Sequence, residues 1–237
     1  MILSPRTAIT IEGNRPVGGA APSPLLTGLV SYWKLDEVSG TRADSAGANN
    51  LTDNGSTPGV AGKISNCASF TAASSQFLNK LDTDNTLDGG NTDFAFVLWV
   101  NTTTVTQQAI IDKNNTLDYA LFISAGTGIL RWEVGAFGGE VNPVVAVNDG
   151  AWHQVICWHD STTHKLSIVI DNGTPVVSGV VAPGTAGNVQ FNIGAFNVGA
   201  AFFDGKVDEV GRWNLVPDAT FRTLIWNGGA GRTWPFL

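Results

Sequence analysis

From residue 25 onward, apolar and polar positions alternate with a period of two through most of the chain. Leu29, Ser31, Trp33 and Leu35 share one parity, and Val30, Tyr32 and Lys34 the other, as in a strand whose successive side chains face opposite ways. Comparable runs follow at 64–70, 76–81, 94–100, 109–112, 119–124, 129–134, 152–159, 165–171, 189–193 and 202–213. Several, 94–100 above all, are apolar on both parities, which predicts strands covered on both faces. Short strands separated by Gly, Asn, Asp and Pro turns make a sandwich or a barrel. One helix is predicted over 217–226, where Phe221, Leu224 and Ile225 form an apolar stripe. Pro217 suits its first turn, and Gly228 and Gly229 end it.

Residues 1–25 break the pattern. Pro5, Pro16, Pro22 and Pro24 punctuate a stretch with little periodicity, which reads as an extended N-terminal arm lying along its own domain or a neighbouring subunit. With no internal repeat, residues 26–237 read as one sandwich domain.

Composition narrows the picture. Charged residues are only 14% of the chain and glycines number 28, which favours short strands and many turns over helices. Lys and Arg total 13 against 20 for Asp and Glu, a net charge of −7. That sign repels phosphate backbones, no basic cluster overrides it, and nucleic acid is excluded as a partner. No apolar run is long enough for a membrane span. The opening MILSPRTAITIEGNRPVGG lacks a basic stretch followed by an apolar one, so the expectation is a protein made in the cytoplasm without a signal peptide. Cys67 and Cys157 lie in apolar strand-like segments and are expected as buried free thiols.

The segments GLVSYWKLDEVSG and DSAGANNL, then NCASFTAASSQFL, then TDFAFVLWVNTTT resemble, in order, the opening strands of a known family. DGAWHQVICWHDSTTHKLSIVIDNG, FNIGAF and FFDGKVDEVGRWNLVPDATFRTLIWNGG continue the series. The family is that of the concanavalin A-like, laminin G-like (pentraxin-like) jelly rolls, and the likeness covers about residues 27–229. It implies an all-β fold of two curved antiparallel sheets with one short C-terminal helix. It also implies binding of carbohydrate, protein or a structural Ca²⁺, and places Trp33, Trp99, Trp152 and Trp213 at core positions. Fold alone leaves the ligand undetermined.

Catalysis is not expected. Polysaccharide-cleaving relatives resemble one another in a Glu-x-Asp-x-Glu strand, and this chain has no such segment. Asp208 and Glu209 are adjacent, so on a regular strand they face opposite ways. His153 and His159 share a strand face but stand roughly 20 Å apart, too far for one metal. His164 likewise has no nucleophile or zinc-helix context.

Two kinds of binding chemistry remain. The stretch Asp36, Glu37, Gly40, Asp44, Asn49 and Asn50 is rich in oxygen ligands. The resemblance would join it to Asp208 through a structural Ca²⁺, with Glu37, Asp44 and Asp208 as metal candidates. The alternative is that Asp44 holds an Asx-turn and Asp208 takes loop amides. Phe137 and Phe196, isolated by glycines, are candidates for stacking on a sugar or docking into a subunit, with Glu140, Asn142 and Asn197 as hydrogen-bonding neighbours. Three functions compete: a structural or assembly protein such as a phage virion decoration, tail or fibre-associated subunit, a carbohydrate-binding module, and an enzyme. The first is favoured here, with the arm and the apolar tail Trp234-Pro235-Phe236 clasping other copies or other structural subunits, at a virion or particle surface.

Overall fold

The computed structural model describes residues 23–55, 57–113, 117–135, 139–196 and 199–236. The predicted arm therefore lies almost wholly outside the described residues. Among the described residues fifteen strands run in order: β1 Leu29–Trp33, β2 Thr52–Asn54, β3 Gly59–Ala61, β4 Asn66–Phe70, β5 Phe77–Leu81, β6 Phe94–Asn101, β7 Gln108–Lys113 and β8 Tyr119–Ile123. Then come β9 Leu130–Val134, β10 Glu140–Val141, β11 His153–Asp160, β12 Lys165–Ile170, β13 Val176–Val180, β14 Gln190–Ile193, β15 Gly205–Trp213 and helix α1 Ala219–Trp226. All eleven predicted strand runs are present. β2, β3, β10 and β13 are additions, short or weakly apolar strands that periodicity does not pick out.

The strands form two antiparallel sheets. One has the order β13-β12-β11-β6-β15-β4-β3, with β1 on the upper part of β15; the other has the order β10-β9-β8-β7-β14-β5-β2. This is the expected sandwich. Its core lies between the sheets, where Trp33 stacks on Phe191 at 5.3 Å and Phe96 stacks on the same ring at 6.0 Å.

The apolar double parity of β6 has a direct cause. Phe94, Phe96, Leu98 and Val100 enter the core between the sheets. Ala95 and Val97 face the other way, into a second apolar cluster with Tyr32, Ile156, Trp158, Trp213, Phe221, Ile225 and Phe236. Helix α1 supplies Phe221 and Ile225, and Asp218 caps its start by accepting from the Phe221 amide at 2.7 Å. Without α1 and the tail, this outer face would expose a broad apolar surface.

Three expectations are corrected. Trp152 is half-buried just before β11, while Trp33, Trp99 and Trp213 are buried as expected. The tail, expected to clasp other subunits, lays its aromatic ring on its own domain. Phe236 is 3% exposed and packs edge-on against this chain's own Tyr32 at 5.0 Å. Asp208 and Glu209 do not face opposite ways, because β15 bulges against β6 between Asp208 and Gly211. Glu209 takes φ 50° there. The extra residue leaves both carboxylates on the α1 side, with Asp208 opposite Trp99 and Glu209 bonded to Tyr32.

Phe236→Ala is expected to lower the unfolding free energy by about 3 kcal/mol in urea titration, the usual cost of emptying a buried aromatic site. Molecular mass in solution should not change; a shift to smaller species with undiminished stability would return the ring to an intersubunit role.

Candidate binding pocket

An open pocket of about 640 Å³ lies where the β5–β6 connection, the start of β1, the end of β15 and the segment before β14 meet. Its size suits one small ligand. The rim carries amides and hydroxyls: Asn85, Thr86, Asn91, Thr92 and Asn214. Behind it, one cation from each sheet points inward. Lys113 on β7 lies across from Phe191 and Tyr119, and Arg212 on β15 lies across from Phe96, all core-facing residues.

Lys113 is fully buried and holds the wall. Its ammonium pairs with Asp88, lies 3.3 Å from Asp82 Oδ2 and 3.6 Å from Asp118 Oδ2, and donates to the Gly187 carbonyl at 2.9 Å. Asp118 accepts the Gly89 and Gly90 amides at 3.0 and 2.8 Å. Asp82 accepts from the Leu87 amide, and the Tyr119 hydroxyl donates to the Leu87 carbonyl. The 82–93 connection is thus fastened from inside at several points. Burial pushes the Asp82 and Asp118 carboxyls up from their ordinary value, against the pull of Lys113.

The residues expected to bind lie elsewhere. Phe137 and Asn197 fall outside the described residues. Phe196 packs edge-on against Phe122 at 5.5 Å, on the outward face of the second sheet. Glu140 pairs in register with Glu133, and Arg131 bridges the two carboxylates. Asn142 is exposed and donates to Glu140 at 3.2 Å. Glu140, Asn142 and Phe196 thus share a neighbourhood, apart from the pocket.

Glu37, Asp44 and Asp208 are not gathered into one donor set. Asp44 Oδ1 accepts the amides of Tyr32, Ala46 and Gly47, and its Oδ2 accepts that of Asn49. This is the Asx-turn alternative, and it occupies both oxygens. Asp208 Oδ2 accepts the Lys63 and Ile64 amides at 2.8 and 2.9 Å, and Glu37 Oε1 accepts that of Ala43. Among the described residues no three acidic, His or Cys side chains form a group able to hold a metal ion. Glu37 Oε2 and Asp208 Oδ1 remain buried without a hydrogen-bond partner, but with Asp44 spent on its turn the three carboxylates do not form one group, and melting curves with Ca²⁺ and with chelator are expected to superimpose. A rise of several degrees in Ca²⁺ would restore the metal.

Two of the three histidines are committed to structure. His153 sits between Asp171 at 2.6 Å and Asp149 at 3.0 Å, and buried His159 meets the Thr92 carbonyl at 2.7 Å. Cys67 and Cys157 are buried and free, and burial lifts the Cys67 thiol to about 12.

The bulged carboxylates are both shifted strongly upward. Burial raises Asp208 to about 7 and Glu209 from an ordinary 4.5 to about 8. The Tyr32 hydroxyl stands 2.5 Å from Glu209 Oε2 and 2.9 Å from the Arg232 carbonyl. One phenolic proton cannot serve both acceptors. A neutral Glu209 that donates to the phenol, which then donates to Arg232, satisfies all three. Between the unfolded and folded values the native state holds the extra protons, so stability falls as pH rises through that window. Unfolding titrations from about pH 5 to 8 should show this decline. Glu209→Gln should reduce its slope by roughly half, leaving the share due to Asp208; an unchanged slope would place the titration elsewhere.

The model of the concanavalin A-like lectin/glucanase superfamily, laminin G type, matches residues 78–220, more than half the chain. No curated protein matches. Among solved structures, the binding domain of Paraclostridial Mosquitocidal Protein 1 superposes with TM-score 0.69 at 12% identity, over 86% of this chain and 53% of that one. Domain 4 of AbnA, a GH43 extracellular arabinanase from Geobacillus stearothermophilus solved with arabinotriose, gives 0.63 at 16% identity, over 86% of this chain and 98% of that one. The binding domain of botulinum neurotoxin DC, solved with SialylT, gives 0.63 at 8% identity, over 86% and 52%. The chain thus spans about half the length of the toxin domains it matches. At such identities these likenesses show the fold, and the family match does more: this chain belongs to the concanavalin A-like lectin/glucanase superfamily.

Proposed function

We propose that the protein is a non-catalytic, lectin-like module that binds carbohydrate in the pocket walled by the 82–93 connection. The observation that carries this reading is the pocket's construction: ligand-sized, rimmed by amides and hydroxyls, and held by buried ionic contacts. Sugar hydroxyls need donors and acceptors at fixed positions, and a preorganised wall avoids the ordering cost of binding. Two structural relatives were solved in complex with arabinotriose and with SialylT, which supports the reading by analogy of fold.

The strongly shifted acids, Asp208 and Glu209, do not favour an enzyme. Shifted groups mark catalytic sites when substrate reaches them, and these two are 0% and 2% exposed. Assembly is a second reading, favoured by one observation: edge strand β13 leaves Val177 and Val180 exposed on a strand paired on one side only. A concentration-dependent mass in solution would support it, as a building block of a larger structure such as a phage particle.

The binding reading is tested by a glycan screen followed by titration calorimetry. At least one saccharide should bind, without release of reducing sugar. Asn91→Ala should weaken it about fivefold, the worth of one hydrogen bond. Failure of every glycan to bind, or binding indifferent to changes at Asn85, Asn91 and Thr92, would sink the reading.

A further inference from the structure

The two buried cations, Arg212 on the pocket lining and Lys113 behind it, are treated differently by their surroundings. Lys113 has three carboxylates about it. Arg212, 1% exposed, has none: among the described residues no carboxylate forms an ion pair with it. Its Nη1 donates to Asn214 Oδ1, its Nη2 donates to the Asp88 carbonyl at 2.6 Å, and its Nε is buried without a partner. The Phe94 ring, with its centroid 5.7 Å from the guanidinium carbon, covers another side. Burial works against the charge; the Tyr119 hydroxyl beside it favours the charge, and Asp118 and Asp82 do so only from a distance while bonded elsewhere.

A buried guanidinium whose hydrogen-bond acceptors are neutral oxygens is an incomplete arrangement. A guanidinium presents a planar fork of donors that matches a carboxylate. Arg212 lines the pocket, and so does Asn214, the residue that caps Nη1. Asn214 is exposed, so rotation of its side chain opens the fork to the pocket without moving the backbone.

We infer that the pocket's ligand carries one carboxylate that pairs with Arg212, which makes it an acidic sugar of the uronate kind. This rests on the carbohydrate reading above and narrows it. The remaining lining sets the rest of the ligand. Amides and hydroxyls at Asn85, Thr86, Asn91 and Thr92 suit ring hydroxyls. Asp88 and Asp93 on the same wall add negative charge, so an anion is held only where it sits against Arg212, and a dianion such as inorganic phosphate meets about twice the repulsion a carboxylate does.

The test uses two probes that differ at one carbon, D-glucuronate and D-glucose, titrated into the whole chain and followed by calorimetry or chemical-shift change. Glucuronate should bind about tenfold more tightly or better. The informative variant is Asn214→Asp, which puts a carboxylate where Arg212 already finds an oxygen. It should fold, melt higher than the parent, and lose the preference for glucuronate. Changing Arg212 itself risks the fold, which is why the rim position is chosen. Glucose binding equal to glucuronate, or Asn214→Asp binding glucuronate as the parent does, overturns the inference while the carbohydrate reading stands. Inorganic phosphate binding more tightly than glucuronate also overturns it, marking a general anion site. If neither sugar binds, the inference falls, and the glycan screen alone decides whether the broader reading falls with it.

Discussion

A single ammonium group, that of Lys113, organises the end of the sandwich where ligand-sized space opens. It is fully buried, and carboxylates from three separate positions turn toward it: Asp82, Asp88 and Asp118. Two of these also hold backbone amides of the 82–93 connection, at Leu87, Gly89 and Gly90. Removing one member of such a set leaves charge without compensation in a dry interior, at a cost of about 3–5 kcal/mol. The wall of the pocket is therefore no freer than the core behind it. A neighbouring cation, Arg212, shares the interior without an ion-paired carboxylate among the described residues, and it is Arg212 that lines the pocket.

The opposite face of the eight-stranded sheet shows another use of buried polarity. Covering it takes α1 and the tail, and the covering leaves Asp208 and Glu209 away from water. The bulge that places them there stabilises a loop through Asp208, which holds the Lys63 and Ile64 amides. Through Glu209 and Tyr32 it also fastens the tail at the Arg232 carbonyl. Shifted acids here follow from architecture: a second apolar cluster laid over a bulged strand raises any carboxylate beneath it.

Elsewhere the fold spends its acidic side chains on amides. Asp44 gathers four of them and fixes the turn after β1, and Asp118 gathers two beside the pocket. An acid-rich loop read as oxygen ligands for a cation is, in three dimensions, a set of turn-holding groups. Composition cannot distinguish these uses, since both need a carboxylate near a tight loop and differ only in what points at it.

The strands and the helix were legible along the chain because burial on a pleated sheet imposes period two, and burial on a helix face imposes a stripe. β6 declared its two covered faces by carrying large apolar residues at both parities. The pocket was not legible, for a specific reason. Counting by twos from Val207, a core residue, makes Glu209, Gly211 and Trp213 inward and Arg212 outward. The bulge between Asp208 and Gly211 reverses this, so Arg212 enters the interior and Trp213 joins the outer cluster. The irregularity in β7 between Ala109 and Ile111 likewise sets Ile110 and Ile111 both inward and brings Lys113 in after them. A charged residue ending an apolar strand was the available signal, but its face depends on register against a partner strand distant in sequence. The amino-acid sequence by itself determined which segments pair and bury. Which charges those segments carried inside was decided only when the bulged strands met, because one slipped residue inverts every side chain beyond it.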